Sequence, residues 1–156
     1  QAFDPGIPHH VWPEGIDRRD TLEALLETTQ LLFLHAPLLP STRHAINSRT
    51  LALMPRGAFM VNCARGGIVD EAALAAALES GRIAGAASDV FEQEPPSHDN
   101  PLFKVPGFLA TPHLGGSTNG ALVRVGLSIV EQVLDQLQHQ NGAPGAAPHT
   151  NKERRT

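Results

Sequence analysis

The sequence predicts an α/β fold: a doubly wound parallel sheet without a dinucleotide-type glycine loop. Three observations lead there. Short apolar runs, LLFLH at 31–35, AFMVN at 58–62, IAGAASD at 83–89 and FLAT at 108–111, alternate with helix-forming stretches. That alternation is the order of a parallel sheet with crossover helices. Arg65, Glu94 and His113 each follow one of the last three runs, in polar or glycine-rich loops. No GxGxxG occurs among the 156 residues.

Residues 1–4, QAFD, read as the end of a strand finishing on Asp4, with Pro5, Gly6 and Pro8 breaking the chain after it. The stretch 7–19 is weakly patterned and carries a short helical turn and a short strand near Gly15-Ile16. Asp20 and Glu23 form a capping box for a helix over about 20–28, with Leu22, Leu25 and Leu26 as its apolar stripe. LLFLH suits a strand buried on both faces of the sheet. Asn47 caps a short helix through Met54, and Gly57 precedes the next strand. Asp70 caps a helix from Glu71 to Ser80, closed by Gly81. IAGAASD is a small-residue strand that admits a close neighbour. The loop 90–105 is rich in proline and acid, and FLAT is the last strand. From Ser117 or Thr118 a helix runs to about Gln138, with Leu122, Val125, Ile129, Val133 and Leu137 on one face. Residues 1–139 are expected to form one α/β domain, and 140–156 a disordered tail.

The composition narrows the function classes. A formal net charge of −4 gives no support to a nucleic-acid surface or an anionic membrane surface. Cys63 is the single cysteine, which excludes an internal disulfide and fits a reducing cytoplasm. No apolar run is long enough to span a bilayer, and no secretory signal opens the chain. His9-His10 has no accompanying carboxylate or cysteine spacing, so no metal site is expected. Gln1 in place of an initiating Met points to processing or to a piece of a longer chain.

Taken singly, Arg65 reads as a surface turn residue, Glu94 as a solvated acid beside Glu92, and His113 as one of eight histidines. Their motifs reverse those readings. HAPLLPST, VNCARGGIVDEAAL, DVFEQEPP and TPHLGGST stand in one order with close spacing. From Phe3 to about Leu137 the chain resembles the cofactor domain of the D-isomer-specific 2-hydroxyacid dehydrogenases, most of all the branch that oxidises 3-phosphoglycerate.

The resemblance implies that residues 1–139 are a partial dinucleotide-binding domain, a Rossmann-like sheet that is incomplete, lacking its first strand and glycine loop. It implies NAD as cofactor and a small 2-hydroxy or 2-oxo acid as substrate, of 3-phosphoglycerate, glycerate/hydroxypyruvate or glyoxylate type. It also implies a homodimer at full length. His113 is then the general acid/base, Glu94 its carboxylate partner, and Arg65 the grip on the substrate carboxylate. Asp4 accepts the adenosine ribose hydroxyls and disfavours a 2′-phosphate. His35, Ala36, Pro37 and Thr42 line the cofactor cleft, Ala36 through its backbone. Cys63, Ala64, Arg65 and His113 flank the nicotinamide, Asp89 holds its carboxamide, and Gly115 and Gly116 let the backbone approach the ring. Ser88 and Gly120 depart from the family pattern, in the core and in the first turn of the long helix. The other reading is an NAD(H)-sensing module, or an inactive remnant without turnover.

Overall fold

The computed structural model describes residues 1–141, with side chains to Leu137. They fall into two compact units divided between Leu114 and Gly115. The tail expected over 140–156 lies outside the described residues beyond Asn141.

The first unit is built on one parallel sheet of four strands in the order β1 (Leu31–Leu34), β2 (Ala58–Asn62), β3 (Ile83–Ser88) and β4 (Phe108–Ala110). All four lie where the apolar runs place them. The register aligns Leu34 with Asn62, Asn62 with Ser88, and Ser88 with Ala110. One row of residues therefore closes the carboxyl edge, and the loops that follow leave side by side.

The connecting helices are short, and each is capped by a side chain the sequence supplies. In α1 (Leu22–Leu26) the cap is Thr21, whose hydroxyl accepts Ala24 N–H at 3.1 Å. This corrects the expected Asp20–Glu23 box. Thr21 has the extended backbone of a cap, and Glu23 turns to Arg49 at 3.0 Å instead. Asn47 caps α2 (Ser48–Leu51) through a complete capping box with Thr50. Asp70 caps α3 (Glu71–Glu79) by accepting Ala73 N–H at 3.0 Å. Gly81, just past its C-cap, has φ +64°, where glycine avoids the steric cost of a Cβ.

The core lies on one face of the sheet. Leu32, Leu34 and Met60 from the strands meet Leu26, Leu51, Leu74 and Leu78 from the helices. Burying such side chains contributes about 1.5–3 kcal/mol each. The loop after β3 joins the core through a 3-10 turn at Pro101–Lys104, which the sequence reading passed over. Asn100 caps that turn, Leu102 is fully buried, and Phe91, Phe103 and Phe108 stack with ring centroids 5.6–6.3 Å apart.

Two expectations change. LLFLH is not buried on both faces. Leu32 and Leu34 enter the core, whereas Leu31, Phe33, Phe59 and Leu109 are exposed on the opposite face. The helices α1, α2 and α3 pack on the core side of this unit. The segment ending at Asp4 is not a strand of the sheet. Ala2 forms a single parallel bridge with Arg18, with Ala2 N–H donating to Asp17 O and Arg19 N–H to Ala2 O, both at 2.8 Å. The segment is nevertheless held. Gln1 bonds Thr28 and Thr29, and the Arg18 guanidinium sits 4.7 Å over the Trp12 ring.

The second unit contains α4 (Asn119–Asn141). Thr118 accepts Ala121 N–H on its hydroxyl at 3.2 Å and Leu122 N–H on its carbonyl at 2.9 Å, so the helix starts well despite Gly120. Val123, Leu127, Val130 and Leu134 extend the expected apolar stripe onto the adjoining face, by the 100° step of a helix.

Candidate active site

β2, β3 and β4 end in the row Asn62–Ser88–Ala110, and the next residues begin the site. Open parallel sheets bind ligands at this edge, where side chains from neighbouring loops converge.

The Arg65 turn is shaped by Asn62. Its buried side chain accepts Ala64 N–H at 3.1 Å and donates to Arg65 O at 3.2 Å. Asn62 was not singled out from the sequence. An asparagine followed by C-A-R-G-G is nonetheless the signal of a side-chain-stabilised turn. Arg65 is exposed, and one of its guanidinium nitrogens donates to Ala64 O at 2.6 Å.

Glu94 and His113 meet directly. His113 Nδ1 lies 2.7 Å from Glu94 Oε2, inside the reach expected of an acid–base pair. Glu94 Oε1 accepts Phe91 N–H at 3.0 Å. These two hydrogen bonds, that from His113 first, hold the Glu94 carboxyl below its ordinary value of 4.5, against a smaller opposing effect of burial. An ionised carboxylate only accepts, so Nδ1 carries the proton and Nε2 is the nitrogen left for substrate chemistry. His113 has φ +55°, a left-handed backbone rare outside glycine.

Asp89 holds the His113 turn from beneath. It is buried, and its Oδ1 accepts the Thr111 hydroxyl and Leu114 N–H, the latter at 2.8 Å. These contacts bracket His113 on both sides in sequence. Thr111 was another residue not foreseen. Ser88, expected to loosen the core, is satisfied there: its hydroxyl donates to Val90 O at 2.7 Å.

Of the other candidates, His35, Cys63 and Asp89 occupy one row, each immediately after its strand. His35 and Cys63 are exposed, Ala36 is half-buried and Ala64 is buried. Thr42 closes the turn after His35: its hydroxyl donates to Pro37 O at 2.6 Å and accepts Leu39 N–H at 2.8 Å. Asp4 is exposed and accepts Gly6 N–H at 2.8 Å, which is turn chemistry. Gly115 and Gly116 belong to the second unit. Among the described residues no three His, Cys, Asp or Glu side chains cluster as metal ligands, and no helix is long and apolar enough to cross a membrane.

The carboxylate-bonded imidazole and the arginine turn share the carboxyl edge of one parallel sheet, the ligand-binding edge of open α/β domains. The NAD-binding domain of the D-isomer-specific 2-hydroxyacid dehydrogenases matches residues 3–115. A D-3-phosphoglycerate dehydrogenase of Bacillus subtilis is 47% identical over 144 residues, covering 92% of this chain and 26% of that protein. A hydroxypyruvate reductase of Thermotoga maritima is 41% identical over 139 residues, covering 87% of this chain and 44% of that protein. The crystal structure of a D-isomer-specific 2-hydroxyacid dehydrogenase from Xanthobacter autotrophicus, in complex with NADPH and MES, is 48% identical. It superposes with a TM-score of 0.57, over 60% of this chain and 30% of that one. The chain belongs to the D-isomer-specific 2-hydroxyacid dehydrogenase family, through its NAD-binding domain. It spans between a quarter and a half of the length of the two relatives named.

Proposed function

We propose that this chain carries the acid–base and carboxylate-binding groups of an NAD-dependent dehydrogenase acting on a small D-2-hydroxy acid. The observation that carries the reading is the His113–Glu94 pair, one loop away from Arg65 on the same sheet edge.

The row His35–Cys63–Asp89, its first two members exposed at the sheet edge, suits the nicotinamide end of the cofactor. When bound there, NAD supplies the acceptor for the hydride that leaves C2 of the substrate. The chain's own residues do the rest. Arg65 offers a planar fork that matches the substrate carboxylate and fixes C2. His113 Nε2 takes the hydroxyl proton as the carbonyl forms, and returns it in the reverse direction. Glu94 keeps the imidazole in the required tautomer and stabilises the imidazolium that proton transfer creates. The family resemblance, and not a strand end, gives Asp4 the ribose hydroxyls and with them a preference for NAD over NADP. The substrate is of 3-phosphoglycerate, glycerate/hydroxypyruvate or glyoxylate type, and the protein acts as a cytoplasmic homodimer.

The full-length gene product tests this. NADH oxidation with hydroxypyruvate, glyoxylate or 3-phosphohydroxypyruvate is expected, with NADPH used less well. Saturable NADH binding without turnover on any of the three would give the sensing-module reading instead. Sedimentation of the same protein checks the dimer.

A further inference from the structure

A second histidine–glutamate pair lies beside the first. His44 Nε2 is 3.0 Å from Glu92 Oε1. His44 and His113 are also the two non-glycine residues with positive φ among the described residues, at +48° and +55°. Each is bonded to a carboxylate of the loop after β3, Glu92 for one and Glu94 for the other. Left-handed backbone at non-glycine residues persists where surrounding contacts over-determine it.

Those contacts join three loops. His44 N–H donates to Gly67 O at 2.8 Å, and Ile46 N–H to Ile68 O at 3.1 Å, which seats the His44 turn on the Arg65 turn. Glu92 N–H donates to Glu71 Oε1 at 2.8 Å, while Glu71 Oε2 accepts Asn100 Nδ2 at 2.6 Å. Glu92 is thus pinned by its side chain to His44 and by its backbone to α3. One residue before it, Phe91 N–H supplies a hydrogen bond to Glu94. At Gly66 the Arg65 turn touches the Phe91 carbonyl so closely that a Cβ would lie 1.7 Å from it.

We propose that His44 is a positioning residue: through Glu92 it clasps the Arg65 turn to the 91–94 turn and so holds Glu94 against His113. The inference rests on the reading of Glu94 and His113 as the acid–base pair. An exposed pair of this kind stabilises the fold little, so its consequence is sought in the geometry of Glu94. Charged groups on the joined elements include Arg43 next to His44, Arg65 in its turn, Asp70 and Glu71 at the start of α3, and Asp89 and Glu94 on the loop after β3.

The test is a carbon-13 NMR titration of the Glu94 carboxyl in the 156-residue chain, with Glu94→Gln to assign the signal. Glu92→Ala and His44→Asn are compared with the native chain. Asparagine tolerates the left-handed backbone, so His44→Asn removes the pair and keeps the turn. If the clasp positions Glu94, both variants move its midpoint up toward the ordinary carboxylate range, and exchange of the Phe91 amide becomes a few-fold faster. Glu92→Ala discriminates by sign, because losing a negative neighbour through Coulomb effects alone lowers the Glu94 midpoint. A midpoint that falls or stays in Glu92→Ala overturns the clasp and leaves the acid–base reading intact. A native Glu94 already titrating at the ordinary value overturns both.

Discussion

Gly66 packs against the backbone of Phe91 with no room for a side chain. A Cβ on Gly66 would meet Phe91 O at 1.7 Å, Phe91 C at 2.2 Å and Glu92 N at 2.8 Å. Backbone cannot swing aside as a flexible side chain can, so the Arg65 and Glu94 loops must part for Gly66→Ala. A loss of about 1–3 kcal/mol of stability is expected, the range for overpacking, read from urea denaturation. Gly126→Ala in α4 has open space and ordinary φ, and should stabilise that helix by about 0.5–1 kcal/mol. Equal behaviour of the two variants would contradict the close packing at Gly66.

The depressed pKa of Glu94 sets a pH dependence with a definite sign. A carboxyl whose folded pKa lies below its unfolded value contributes stability that is fully present above the unfolded value. That contribution is lost as pH falls through the folded value. With an ordinary value of 4.5 for Glu94, Glu94→Gln should cost stability at pH 6, and the difference from native should shrink on acidification below about 4.5. Since the side chain is 37% exposed, solvent screening keeps the effect small. Denaturation series from pH 6 to pH 3 give the comparison, and a difference that grows on acidification would reverse the assignment.

Kinetics of the full-length gene product should separate the two catalytic candidates. His113→Ala removes the group that exchanges a proton in the chemical step, worth typically ~10²–10⁴-fold. Turnover should fall by that order while NADH affinity, measured by fluorescence, stays close to native. Arg65→Ala removes the carboxylate grip, so KM should rise as kcat falls. Native turnover in the His113 variant would take the imidazole out of the mechanism.

The 156 residues hold no GxGxxG loop, and a helix N-terminus behind such a loop is what receives a pyrophosphate. The chain by itself should therefore bind NADH weakly and turn over no hydroxy acid, even with Arg65, Glu94 and His113 in place. Calorimetric titration followed by an activity assay checks this. Micromolar binding with turnover would mean that the pyrophosphate is held by other groups.

The strands and the turns that carry the candidate residues were legible in the sequence because their signals are local. Four short apolar runs mark four strands, and glycine or proline beside Arg65 and His113 marks turns at their ends. Asp70 and Asn47 announce helix starts because a cap acts over three residues. Other features are decided by partners distant in sequence. Glu71 reads as a helix start, yet it bonds Glu92 N–H and Asn100 Nδ2, more than twenty residues away. His44 reads as a loop histidine until Glu92 arrives 48 positions later. The N-terminal QAFD has the composition of a strand end, but pairing needs a neighbour in register, and Ala2 meets only Arg18.

By itself the sequence determined the α/β alternation, the choice of Arg65, Glu94 and His113 as candidates, and the glycine or proline beside each of them. All of these depend on residue type and on neighbours a few positions away. The tertiary structure alone decided that Asn62, Ser88 and Ala110 end in one row, that Glu94 reaches His113, and that one sheet face carries the core while Leu31, Phe33, Phe59 and Leu109 stay exposed. Register and burial depend on where distant segments pack against one another, and that information is not carried by any single stretch of chain.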